Sequence, residues 1–173
     1  MTLDLARLLV FPALMAFAAA SDLFTMTIPN RVSILLVIGF YVLATASGMS
    51  AQAILAHTGA GVLILAISFT CFSMGWVGGG DAKLAAAAAL WFGFDHLLNY
   101  LLYASVLGGV LTLSLLQIRQ WPLPYPLLRQ EWLLRLHHKE TGIPYGIALG
   151  AAALLMYSET DWIRAIDASR FLP

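Results

Sequence analysis

Charge is what this chain has least of. Asp, Glu, Lys and Arg make up only 10% of its 173 residues, and 61% are hydrophobic. A soluble domain carries about 25% charged residues. So little charge cannot cover a water-facing surface, and the class that remains is integral membrane protein. Basic clusters are missing too. Nine Lys and Arg balance nine Asp and Glu, which argues against nucleic acid, whose phosphates need clustered cations. Cysteine is nearly absent. Cys71 alone rules out an internal disulfide or a cysteine-built metal site, and it reads as a small buried apolar residue. His57, His96, His137 and His138 are scattered, whereas a metal site needs converging ligands, so neither metal nor cofactor is expected. There is no internal repeat, and no low-complexity tract beyond the alanines at 85–89.

What is abundant is long apolar runs. A membrane helix needs about 20 mostly apolar residues. Candidates are Leu3 to Ala20, Ile28 to Ser47, Ala53 to Trp76, Ala82 to Phe94, Leu97 to Ile118 and Gly142 to Tyr157. The expected fold is therefore an all-α, polytopic bundle of six transmembrane helices forming one domain over 1–173. The fourth segment is short, and a polar break at Asp95, His96 and Asn99 separates it from the fifth. Ala18-Ala19-Ala20-Ser21 resembles a signal-peptidase site, but Asp4 cancels Arg7 and the run is long, so the segment is expected to stay. Trp76, Trp91, Trp121 and Trp162 near segment ends fit an aromatic belt.

Lys and Arg in the loops set the orientation. With six spans, one side holds Arg31, Lys83, Arg119, Arg129, Arg135 and Lys139, and the other holds Arg7, Arg164 and Arg170. The first side is expected in the cytoplasm and both termini outside. The largest loop, 119–141, contains Pro122, Pro124 and Pro126, which break helix. The basic amphipathic stretch after them, with Trp132, Leu133 and Leu136, suits a lipid surface. Read plainly, it is a solvated connector.

Two acids stand at the same expected membrane face. Asp81 follows Gly78-Gly79-Gly80 and precedes an apolar run. A carboxylate near hydrocarbon is costly unless protonated, paired or wetted, so it is a functional candidate. Its plain reading is the N-cap of a helix starting at Ala82. The glycines allow left-handed or tightly turned backbone and leave room for a substrate strand. Asp22 ends the first segment, and its plain reading is a polar stop. Downstream, Thr27 is placed to cap the next helix, Pro29 suits its first turn, and Asn30 and Arg31 mark the water boundary. Two carboxyls held close share a proton. One can then activate water while the other polarises a peptide carbonyl and protonates the leaving amine. Lys83 either modulates the aspartates by its charge or snorkels to lipid phosphate.

Asp22 with Ile28-Pro29-Asn30, and Gly78-Gly79-Gly80-Asp81-Ala82-Lys83, resemble the two signatures of type IV prepilin peptidases, which are aspartyl proteases of the GxGD class. Gly142-Ile143-Pro144-Tyr145-Gly146 fits the short CpaA/TadV branch associated with Flp (Tad) pili. The resemblance runs from Asp22 to about Leu155. It implies that Asp22 and Asp81 are the catalytic pair and that Gly78 and Gly80 shape the site. It also implies a bacterial inner-membrane enzyme that cuts a prepilin leader on the cytoplasmic side, just before the pilin's hydrophobic helix. Pro144 and Tyr145 either pack near the site or simply start a helix. Longer members carry zinc-binding cysteines and N-methylate the new pilin terminus. The four-cysteine element is absent here, which sets N-methylation and zinc apart from what the resemblance implies for this chain. The loop after Asp22 reads Leu-Phe-Thr-Met-Thr where relatives often carry basic residues. Expected partners are the prepilin and membrane lipid, with homo-oligomers open.

Other classes compete. Paired acids also serve small ion- or proton-coupled transporters, which would show matching interrupted helices in two halves; none are visible. A non-catalytic pilus assembly protein would need neither aspartate. A presenilin-like enzyme would cut transmembrane substrates more generally, and the Ile28-Pro29-Asn30 element favours the prepilin reading.

Overall fold

The computed structural model describes residues 2–164, except the side chains of Pro126 and Leu128. Arg170, counted above among the loop charges, lies outside the described residues. Among these the chain is all-helical: α1 Thr2–Thr25, α2 Asn30–Ala46, α3 Ala51–Ser73, α4 Gly79–Ile118, α5 Glu131–His137 and α6 Tyr145–Tyr157, with a short 3-10 turn at Tyr125–Arg129. α1, α3 and α4 are long and apolar enough to cross a membrane, and α2 is a shorter apolar helix.

The helices bury narrow stripes, as expected where lipid covers the rest. On α1 the stripe is Phe11, Met15, Ala18 and Asp22. That four-three-four spacing keeps one face inward, so Asp22 is the inner face's last residue. On α6 the matching stripe contains Gly146, Gly150, Ala153 and Tyr157. A side chain at Gly150 would lie 2.8 Å from Ala19 Cβ and 3.0 Å from the Met15 carbonyl oxygen. Small residues at this spacing let two membrane helices approach closely. Tyr157 Oη donates to the Arg7 carbonyl at 2.6 Å, and Gly146 sits against Asp22. α6 therefore runs antiparallel along α1.

α4 is not one straight rod. Gly93 takes φ 59° and ψ −176° inside it. Its two ends return to the same end of the bundle. Gly80 packs on Ile28, while Gly108 packs on Tyr145, beside the Gly146 that touches Asp22. A straight helix would hold residues 80 and 108 about 40 Å apart. The rings of Phe92 and Tyr100 stack across the bend at 4.6 Å. The expected division into two segments thus falls at Gly93, not at the polar Asp95, His96 and Asn99. The cause is conformational: this backbone region is almost closed to residues with a Cβ. His57 Nδ1–H donates to the Leu90 carbonyl at 2.8 Å in the last turn before the break.

Trp91 departs from its expected belt position. It is fully buried and donates to the Leu36 carbonyl, while its own carbonyl accepts from Trp162 Nε1. Trp162 is buried with it. Trp76 and Trp121 are exposed, as interfacial residues would be.

Gly93→Ala is expected to be among the most destabilising single substitutions away from the acids. The backbone strain alone is about 1–3 kcal/mol. The new Cβ would also lie 2.8 Å from the His57 ring. Thermal unfolding in detergent should show a clear drop in Tm, and an unchanged Tm would mean the bend relaxes without cost.

Candidate active site

Asp22 reaches the site from the end of α1. Met26 follows in the left-handed region, φ 56°, with its N–H on the Asp22 carbonyl at 2.8 Å. That turn ends α1 sharply. Ser21 and Thr25 hydroxyls both donate to the Thr27 carbonyl, tying the loop back onto the helix. Thr27 does not cap α2 as expected, because its hydroxyl pairs with Thr25. Pro29 occupies the N-cap position itself rather than the first turn, and Asn30 opens the helix.

Asp81 enters from α4. The helix begins at Gly79 with Gly78 at the N-cap, so Asp81 lies in the first turn and is not the cap. An acid there suits the positive helix end. Gly78 has φ −68° and ψ 143°, which any residue can adopt, so the left-handed role expected of these glycines is not needed. Their smallness is. A Cβ on Gly80 would sit 3.3 Å from Ile28, on Gly79 3.2 Å from Phe72, and on Gly78 2.8 Å from an Asp81 carboxylate oxygen.

The two acids meet in one cleft of about 290 Å³, lined by Asp22, Met26, Thr27, Ile28, Asp81 and the three glycines. Asp22 is buried, and one of its oxygens accepts the Gly146 N–H at 2.7 Å. The half-buried Asp81 carboxyl has no hydrogen-bond partner among the described residues. One acid is therefore held by the backbone, and the other lines the cleft without a hydrogen bond among the described residues.

Of the other expected site residues, Lys83 donates to Asn30 Oδ1 at 2.9 Å. It forms no ion pair to either aspartate among the described residues. Pro144 is buried at the N-cap of α6, directly before the helix turn that supplies Gly146. Tyr145 does not line the cleft, and its hydroxyl pairs with Thr112 at 3.0 Å. Sequence reading missed Gly146 as an aspartate ligand. The signal was present as Gly146-x-x-x-Gly150 in an apolar helix, a close-packing pattern.

The family model for type IV leader peptidases matches residues 9–113, which span both acids and the glycine stretch. The chain belongs to the type IV leader peptidase family. As a member it is a membrane peptidase of the aspartic, prepilin-cleaving kind. No curated protein and no solved structure matches it. The matched stretch ends before α6, so the Gly146 contact to Asp22 is a finding from the fold.

The 119–141 connector folds onto the same end of the bundle. Arg119 is buried, its Nε donating to the Leu136 carbonyl at 2.8 Å and its Nη2 to the Gly142 carbonyl at 3.0 Å. Arg135 donates to the Phe24 carbonyl at the end of α1, and Trp132 packs edge-on against Phe24. The apolar face of α5 is thus docked partly on protein. Arg119→Met keeps the stem and removes the donors. Charged hydrogen bonds are worth about 1.5–3 kcal/mol each, so this variant should make the connector several-fold more sensitive to limited proteolysis. Unchanged cleavage there would show that other contacts hold α5.

Proposed function

We propose that Asp22 and Asp81 are the catalytic pair of an intramembrane aspartyl endopeptidase that removes the leader of Flp (Tad)-type prepilins at the cytoplasmic membrane face. The observation that carries this reading is the shared cleft: two acids far apart in sequence, on α1 and α4, line one small cavity. The pair shares a proton. One member takes a proton from water, which attacks the scissile carbonyl. The other polarises that carbonyl and returns a proton to the leaving amine. Gly146 orients Asp22, and Gly78 and Gly80 keep side chains out of the path of an extended substrate.

On this reading the chain crosses the membrane six times, α4 crossing twice by turning at Gly93. Arg31, Lys83, Arg119 and Arg135 gather at the end that holds the acids, with Arg7 and Arg164 at the other. That asymmetry supports a cytoplasmic site in a bacterial inner membrane. The Pro144-Tyr145-Gly146 element supports the Flp branch. The test is cleavage of a co-expressed Flp-type prepilin, read as a mobility shift, by the wild-type chain and by Asp22→Asn and Asp81→Asn. Loss of cleavage in both variants supports the pair. Wild-type cleavage by either one removes that aspartate from the mechanism.

A further inference from the structure

A second, larger cavity of about 580 Å³ lies between α2, α3 and the first half of α4. It exists because α2 and α3 pack on α4 and hardly on each other, although only residues 47–50 join them. The result is a groove along the bundle. At the end near the acids, Lys83 and Asn30 bridge it. At the other end, Tyr41 Oη and Thr58 Oγ1 close it at 3.0 Å. Between Asn30 and Tyr41, α2 rises about 16 Å, roughly three helical turns.

The walls are apolar and open. Ile34, Ile38 and Val62 are each more than half exposed, and Leu65 is 45% exposed. The floor is Ala86 and Ala87, both buried, whose small side chains let another helix come close. What separates this groove from any lipid-facing surface is its mouth. Ile28 and Asp81 line the acid cleft, while Asn30 and Lys83, two residues further along each chain, line the groove. A peptide held across the acids therefore leads into the groove at the first turns of α2 and α4. Its first helical turn would carry backbone N–H groups without internal partners. Asn30 Oδ1 is an acceptor placed at that level, and Lys83 Nζ is a donor for the carbonyls of the extended stretch before it.

Resting on the peptidase reading above, we propose that this groove seats the first turns of the apolar helix that follows the substrate's scissile bond. The Lys83–Asn30 pair forms the lip over which the chain passes. The groove thereby sets which bond reaches Asp22 and Asp81, because the helix start is fixed relative to the acids.

The test is site-directed disulfide cross-linking in membranes, with Cys71→Ser to remove the native thiol and Asp81→Asn to hold substrate uncut. Single cysteines at Ile38 and Val62 probe the groove. One at Val106, exposed on the second half of α4 and outside the groove lining, is the control. The prepilin carries one cysteine within the first three turns of its apolar helix. The expected result is at least about tenfold more adduct at Ile38→Cys and Val62→Cys than at Val106→Cys. Equal adduct at all three positions, or adduct only at Val106→Cys, overturns the proposal and leaves the groove to lipid. Cleavage by the Cys71→Ser chain with both aspartates intact is followed in parallel. Cleavage without groove adduct sinks the groove alone. Groove adduct without cleavage sinks the peptidase reading but keeps the docking site.

Discussion

Replacing either aspartate by asparagine should lower prepilin cleavage by about a thousandfold, with the protein still folded. General acid–base groups contribute about 10²–10⁴-fold to rate, and on the proposed mechanism each acid serves in that way. Asparagine keeps the shape but neither takes nor gives the proton. Folding should survive for a different reason at each site. The Asp81 carboxyl makes no hydrogen bond among the described residues, so the amide displaces nothing. At Asp22 the amide oxygen can still accept the Gly146 N–H, now 2.7 Å from the carboxylate. Purified variants should therefore unfold within a few degrees of wild type while the prepilin stays uncut. The measurement is initial cleavage rate beside Tm on the same preparations. A variant within tenfold of the wild-type rate would contradict the pair. A variant that unfolds early would show that its carboxylate is holding the bundle together.

The positions of the acids were legible in the sequence for a physical reason. Asp22 ends the first apolar run, and Pro29, Asn30 and Arg31 start the next helix so soon that the acid cannot stray far from the membrane surface. Asp81 stands next to glycines that no apolar span needs for its own stability. The span count put both acids on one side of the bundle, and the folded chain has them in one cleft. The contacts between segments were not legible. The Lys83 hydrogen bond to Asn30 could not be read from sequence, because Asn30 lies on another helix. Polar residues at 95, 96 and 99 looked like the break in α4, but polarity marks where water is tolerated and φ marks where the chain bends. Gly93 was decided by φ. Trp91 looked interfacial by position, yet the fold-back at Gly93 put it in the core, where its N–H finds the Leu36 carbonyl.

Gly146→Ala should lower cleavage by about a hundredfold while leaving both acids in the chain. In the native fold there is no room for a methyl group. Its carbon would lie 2.8 Å from Asp22 Oδ2, 2.8 Å from Ile28 Cδ1 and 2.9 Å from Asp22 Cβ. Ile28 Cδ1 and Asp22 Oδ2 end side chains that can turn aside, but Asp22 Cβ is fixed to the backbone of α1, so α1 and α6 must separate or Asp22 must rotate. Either response lengthens the Gly146 N–H bond that orients the carboxylate and displaces that carboxylate from its place in the cleft. A displacement of about 1 Å at a reacting group can cost about 10²-fold in rate. Stability should fall as well, because Gly150 next to it relies on the same close approach to Ala19. The two effects separate by comparison with Gly150→Ala, which loosens the same helix pair one turn away from the acids. If Gly146→Ala loses at least ten times more activity than Gly150→Ala at similar Tm, Gly146 acts by holding Asp22. If the two variants lose activity in proportion to stability, α6 is a packing helix and the aspartate needs no backbone partner.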